Sequence, residues 1–194
     1  KLNGKLYSKV AIEPLKVTVI SGSSGVGKTT LIDQLTWLKS SGIITSVTNN
    51  IKKDDIFYVA QNPFLIDGTL KDNLQFFNIE VDMKDLKILM KKFLVGHLIY
   101  RLIELDVRLG STQELSGLSG GEMKRLFLMI SYLSKKQNVF LDEPFSGLDR
   151  DNKEKVVELL NLYFNKVSLF IVTHEMIEKI NYDYLIEINR SDVK

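Results

Sequence analysis

The sequence predicts an α/β protein with a mainly parallel sheet, small antiparallel strands at the N-terminus and a helical subdomain inserted in the core. Three observations carry this. An apolar strand pattern at Val17, Val19 and Ile20 runs into a glycine-rich loop and then a helical pattern at Leu31, Ile32, Leu35 and Leu38. Val139-Phe140-Leu141 and residues 169–172 are continuous apolar runs, the pattern of strands buried on both faces of a parallel sheet. Between these regions, from about residue 67 to 119, helical patterns follow one another with no strand among them.

In chain order, residues 1–13 alternate weakly through Leu2, Leu6, Val10 and Ile12, as edge strands do. A buried strand follows at 15–20, then a helix to about Leu38 that Ser40-Ser41-Gly42 stops, with Trp37 as core. Residues 43–47 and 56–60 read as short strands. Asp67-Gly68-Thr69 turns and caps a helix through about Phe76, and Asp82 caps another with Met83, Leu86, Leu89, Met90 and Phe93 on its apolar face. His97 to Leu105 is expected to be a third, with His97 a surface residue for which the sequence names no partner. Ser119 and Glu122 form the S-x-x-E of a capping box ahead of Met123, Leu126, Phe127, Ile130 and Leu133. Gly147-Leu148-Asp149 then turns into a helix with Val156, Leu160 and Tyr163 inward.

Size and charge narrow the function. At 194 residues the sequence holds one domain, its core about 1–66 and 120–194 and its helical subdomain about 67–119. A net charge of +2, from 26 basic and 24 acidic residues, gives no field pointing to nucleic acid or an anionic membrane. The absence of cysteine excludes disulfides and thiolate metal sites and agrees with a reducing compartment. No apolar run approaches the roughly 20 residues that span a bilayer. The chain lacks an initiator Met and is expected to be part of a longer polypeptide.

The chemistry concentrates in five places. Gly22-Ser23-Ser24-Gly25-Val26-Gly27-Lys28-Thr29-Thr30 fits G-x-x-x-x-G-K-S/T between a strand and a helix. Its glycines let successive N–H groups wrap a polyphosphate at the positive end of the helix, with Lys28 on the β- and γ-phosphates and the Thr29 hydroxyl on Mg²⁺. The apolar strand at 139–141 ends in Asp142-Glu143-Pro144, and carboxylates there are costly to bury unless they serve a metal or a reaction. Asp142 suits Mg²⁺ through its water shell, and Glu143 suits a general base. Gln61 follows a strand where Pro63 forbids further pairing, a place that fits a turn as well as a ligand crevice. Residues 169–172 deliver His174 to the edge that carries the phosphate loop and the two acids. Finally, Gly120 and Gly121 behind the Ser119 cap leave a helix N-terminus with bare N–H groups, suited to an anion.

With these residues in hand, the chain resembles the nucleotide-binding domain of ABC ATPases, with a phosphate-loop NTPase core, over nearly its whole length. GSSGVGKT resembles Walker A, Gln61 the Q-loop, LSGGE at 118–122 the signature, VFLDEP at 139–144 Walker B, SGLD at 146–149 the D-loop and His174 the switch histidine. The resemblance implies an ATPase using ATP and Mg²⁺. Gln61 would contact Mg²⁺ and the attacking water, Glu143 would act as base, and His174 would meet the γ-phosphate. Ser119, Gly120 and Gly121 would contact ATP held by a second copy, so that two domains dimerise head to tail around two ATP. It also implies an upstream aromatic stacking on adenine, for which Tyr7 is the aromatic candidate, while the segment from Lys28 to Gln61 is shorter than usual. QNPFLIDGTLKDNL resembles the exporter pattern where a membrane domain docks, and residues 110–114 loosely resemble the exporters' coupling loop. The expected protein is therefore the ATPase domain of an exporter at the cytoplasmic face of the cell membrane, its transmembrane domain fused N-terminally, peptides or bacteriocins being candidate cargoes. The alternatives are an importer subunit and a soluble, non-transport ABC ATPase. Gln61 and Leu118 are too close to enclose the long coiled coil of the DNA-repair members.

Overall fold

The computed structural model describes residues 14–36, 52–110, 116–175 and 178–188. The strands expected at 1–13 and 43–47, together with Tyr7, Trp37 and most of the loop at 110–114, lie outside the described residues. The chain divides into two compact units, one drawn from Lys1–Gln61, Lys136–Ser146 and Val157–Lys194 and the other from Asn62–Lys135 and Gly147–Val156.

The first unit is built on a five-stranded sheet in the order β2-β3-β4-β1-β5, every neighbouring pair parallel. The strands are β1 (Val17–Gly22), β2 (Ile56–Val59), β3 (Asn138–Asp142), β4 (Ser168–Thr173) and β5 (Tyr184–Ile188). Every residue of β3 and β4 is buried, which is why their sequences run apolar without alternating. Phe140 and Phe170 sit opposite each other in the β3/β4 register and stack with ring centroids 4.5 Å apart. They join Ile20, Val26, Leu31, Ile32, Val172 and Ile188 in one cluster. Leu31 and Ile32, from helix α1 (Lys28–Leu35), are 1% and 0% exposed, so each contributes about 1.5 to 3 kcal/mol by burial.

Strand β5 has no counterpart in the sequence reading. Four of its five residues are at least partly exposed, so Tyr-Leu-Ile-Glu-Ile lacks the buried pattern that marks β3 and β4. It is set in register by Asp183, whose carboxylate accepts from Val17 N and Lys16 Nζ, both at 2.9 Å, while Asp183 N donates to Val17 O. The Lys16 bond, then that from Val17, holds the Asp183 carboxyl below the ordinary aspartate value. Since Ser21 pairs with Thr173, Gly22 with Ile188 and Asp142 with Val172, the carboxyl ends of β1, β3, β4 and β5 share one edge.

The second unit is helical. Helix α2 (Leu70–Phe76) starts at Thr69, whose hydroxyl accepts from Asp72 N while Asp72 Oδ2 accepts from Thr69 N, a full capping box. Asn73 is wholly buried, and its amide bonds Ile66 N, Ile66 O and Thr69 O, fastening the preceding loop to the helix. Asp82 caps α3 (Met83–Lys92). The single helix expected from His97 to Leu105 is two tighter and wider turns, a 3₁₀ turn at Gly96–Leu98 and a π turn at Tyr100–Glu104. Apolar spacing identifies such a run as helical, but Leu98 and Leu102 reach the core in either hydrogen-bond pattern. Helix α4 (Gly120–Leu133) follows with Ser119 as its cap, and α5 (Arg150–Tyr163) begins in this unit.

Candidate active site

The phosphate-loop segment leaves β1 at Gly22. A Cβ there would lie 2.5 Å from the carbonyl oxygen of Ile188, so the close approach of β5 excludes any side chain. Gly25 and Gly27 adopt φ of 78° and 93°, and α1 is joined to the loop by Leu31 N donating to Gly27 O. Ser23, Ser24, Gly25, Thr29 and Thr30 are exposed, whereas Val26 anchors the loop in the core at 2% exposure. Lys28 folds back under the loop. Its Nζ donates to Gly22 O at 2.8 Å and Ser23 O at 3.1 Å and lies 3.6 Å from Glu143 Oε1.

Glu143 stands just beyond β3, 7% exposed, with its backbone at φ 49°. A left-handed conformation at a residue with a Cβ costs about 1 to 2 kcal/mol, and here Glu143 N donating to Val172 O at 2.8 Å holds it. Its second oxygen, Oε2, is 2.8 Å from His174 Nδ1 and accepts from His174 N at 3.4 Å. The buried carboxylate is thus held between a lysine at the head of α1 and a histidine just beyond β4. Beside it, the Thr29 hydroxyl donates to Asp142 Oδ2 at 3.1 Å.

Tyr58, which the sequence reading did not single out, also reaches this centre, its hydroxyl donating to Asp142 Oδ2 at 3.3 Å. A tyrosine in an apolar strand carries no signal of that kind until β2 and β3 are paired. Gln61 is exposed after β2, and among the described residues no hydrogen bond joins it to Lys28, Asp142, Glu143 or His174.

The donor set around Asp142 fits Mg²⁺, a hard cation that takes oxygen ligands and is held by one or two carboxylates, substrate phosphates and water. Thr29 and Asp142 supply such oxygens from neighbouring positions. Among the described residues no group of three or more His, Asp or Glu forms a metal site by itself. The remaining ligands would therefore come from phosphate and water.

Ser119, Gly120 and Gly121 lie in the second unit, at the head of α4. Ser119 Oγ accepts from Glu122 N, and Glu122 Oε2 accepts from Ser119 N at 2.7 Å. His97 is exposed, as expected from the sequence, but it has a partner, its Nε2 lying 2.5 Å from Glu122 Oε1. Twenty-five positions separate the two, and no local pattern links them. Burial raises the Glu122 carboxyl, but the hydrogen bonds from His97 and Ser119 outweigh it and hold the group below the ordinary glutamate value. Ser119→Ala is expected to cost about 1 kcal/mol, the usual value of an N-cap. The half-exposed His97→Ala should cost less, about 0.5 kcal/mol. Urea unfolding measures both, and a larger loss from His97 than from Ser119 would contradict this ranking.

Geometry defines a class first, a parallel α/β domain that gathers a loop lysine, a threonine hydroxyl and two carboxylates at the carboxyl edge of its sheet. The description "ABC transporter" matches residues 8–146. Over 177 residues the chain is 30% identical to the mycobactin import ATP-binding/permease protein IrtB of Mycolicibacterium thermoresistibile, covering 85% of this chain and 30% of that protein. Over 177 residues it is 28% identical to the glutathione/L-cysteine transport system ATP-binding/permease protein CydC of Bacillus subtilis, covering 86% of this chain and 31% of that one. A bacterial Atm1-family ABC exporter solved with ATP bound shares the fold, with a TM-score of 0.75 at 18% identity over 93% of this chain and 33% of that one. The chain belongs to the ABC transporter family, as an ATP-binding domain of the kind that hydrolyses ATP. It spans about 30% of the length of these two curated relatives.

Proposed function

We propose that this chain is the ATPase domain of an exporter-type transporter and works as one half of a pair at the cytoplasmic face of a membrane. The observation that carries the catalytic reading is the position of Glu143, a buried carboxylate 3.6 Å from the phosphate-loop lysine and 2.8 Å from His174. When ATP binds, Lys28 turns from Glu143 and the loop carbonyls to the β- and γ-phosphates. Glu143 then accepts a proton from water as the water oxygen bonds the γ-phosphorus. The bond from that phosphorus to the β–γ bridging oxygen breaks, and ADP and phosphate result. Mg²⁺ held by Thr29 and Asp142 would neutralise the phosphate charge, Gln61 would orient the water, and His174 steadies the carboxylate and then meets the γ-phosphate.

Several features support pairing with a membrane part. IrtB and CydC are ATP-binding/permease proteins by name, and QNPFLIDGTLKDNL has the exporter character described above. No described helix is long and apolar enough to cross a membrane, so spans would be supplied by another segment or chain. One relative is named for import, and direction and cargo belong to the membrane part. A peptide or bacteriocin is the cargo we put first.

The capped, side-chain-free turn at residues 119–121 suits the γ-phosphate of ATP held by a second copy, in a two-fold pair with two shared sites. Size-exclusion chromatography with saturating ATP and Mg²⁺ tests this. Glu143→Gln is expected to elute as a dimer, and adding Ser119→Arg, which fills the phosphate position, is expected to return it to monomer. A Glu143→Gln protein that stays monomeric, or a dimer indifferent to Ser119→Arg, would rule the shared site out.

A further inference from the structure

Arg125, in the second turn of α4, is 7% exposed. Its Nη1 donates to Asn152 Oδ1 at 2.6 Å, and among the described residues its buried Nε has no hydrogen-bond partner. Asn152 passes the contact on, because its backbone N donates to Asp149 Oδ1 and its Nδ2 to Asp149 Oδ2, both at 2.8 Å. The amide orientation is forced, since a guanidinium can only donate and a carboxylate can only accept. Desolvation works against the charge of Arg125, while Glu122 and Asp149 favour it. A buried guanidinium with one neutral acceptor and an unused donor contributes poorly to stability, and an apolar side chain of similar volume would serve the fold as well. The space for this bond comes from Gly121. A Cβ there would lie 3.1 Å from Arg125 Nη1 and 3.4 Å from Asn152 Cγ. Gly121 is the second residue of an ordinary helix, so no backbone conformation demands glycine.

We infer that Arg125 is a positioning residue for ATP hydrolysis: through Asn152 it locks the heads of α4 and α5 into one piece, with Gly121 as the seat of the lock. The turn at 119–121 then keeps a fixed spacing from the Asp149 carboxylate as the turn meets nucleotide. The importance of that spacing to turnover rests on the role proposed above for the 119–121 turn, whereas the lock is a property of the nucleotide-free chain.

Two measurements separate these. Amide hydrogen exchange without nucleotide reads the lock. Arg125→Met should speed exchange at both helix heads, residues 120–123 and 150–153, by about tenfold and leave residues 22–30 unchanged. Its melting temperature should be unchanged or higher, which a purely structural arginine would not allow. In steady-state hydrolysis it should lower kcat about tenfold with KM within about twofold, the pattern of lost positioning rather than lost binding. Asn152→Ala keeps the guanidinium and removes its acceptor, so it should reproduce both effects even if Arg125→Met folds poorly. Asn152→Asp keeps an acceptor for Arg125 but sets two carboxylates against each other, so exchange should rise at residues 150–153 alone. Wild-type exchange at residues 150–153 in Asn152→Ala would overturn the lock. Faster exchange with unchanged kcat would overturn its positioning role, and a dimer that fails to form while kcat still falls would count against the shared site alone.

Discussion

Glu143→Gln is expected to lower steady-state ATP hydrolysis by about 10² to 10⁴, the usual loss on removing a general base, with ATP binding preserved. The amide has the shape of the carboxylate and can stay beside His174 Nδ1, 2.8 Å away, but it cannot take a proton from water at neutral pH. It also removes a negative charge 3.6 Å from the lysine that would meet phosphate. Nucleotide affinity should therefore be equal or tighter. Phosphate release and calorimetric titration with ATP measure the two quantities separately. Turnover within a few-fold of the original chain would take the base away from Glu143.

Lys28→Ala should fail earlier, at binding. In the nucleotide-free chain Nζ is engaged by Gly22 O, Ser23 O and Glu143, so phosphate gains only the difference between its own attraction and theirs. A hydrogen bond to a charged group is worth about 1.5 to 3 kcal/mol net, so affinity should drop about ten- to a hundredfold. The fold should suffer as well. Both side chains of the pair are under 10% exposed, at 6% and 9%, and removing the lysine leaves a buried carboxylate short of a counter-charge. Breaking a buried pair costs about 3 to 5 kcal/mol, and the low end applies because Glu143 keeps His174. Adding Glu143→Gln to Lys28→Ala should restore most of that stability without restoring affinity. Thermal unfolding and ATP titration of the three variants check this, and an unchanged affinity in Lys28→Ala would count against the phosphate-loop reading.

Legibility in the sequence followed the range of the interactions. The strands containing Val19, Tyr58, Phe140 and Phe170, and the caps Thr69, Asp82 and Ser119, lie where local patterns put them, because each is specified within a few consecutive residues. The glycines around Lys28 and the acids after Leu141 were legible as chemistry for the same reason. Tyr58 with Asp142, His97 with Glu122, and Arg125 with Asn152 were not, since the partners are 84, 25 and 27 positions apart. Which side chain meets which is decided by strand order and helix packing. Strand β5 escaped for a different reason: much of it faces solvent, so the hydrophobic contrast that marks an interior strand is missing.

The backbone of Glu143, at φ 49°, has a consequence for how this chain can change over generations. Glycine would occupy that geometry without a Cβ clash, so the position trades conformational ease for a carboxylate. Glycine at 143 would release about 1 to 2 kcal/mol of backbone strain, but it would also break the buried pair with Lys28, a loss of about 3 to 5 kcal/mol. A lineage relieved of the need to hydrolyse ATP therefore gains no stability from that substitution by itself, and the carboxylate would outlast the activity until Lys28 is replaced as well.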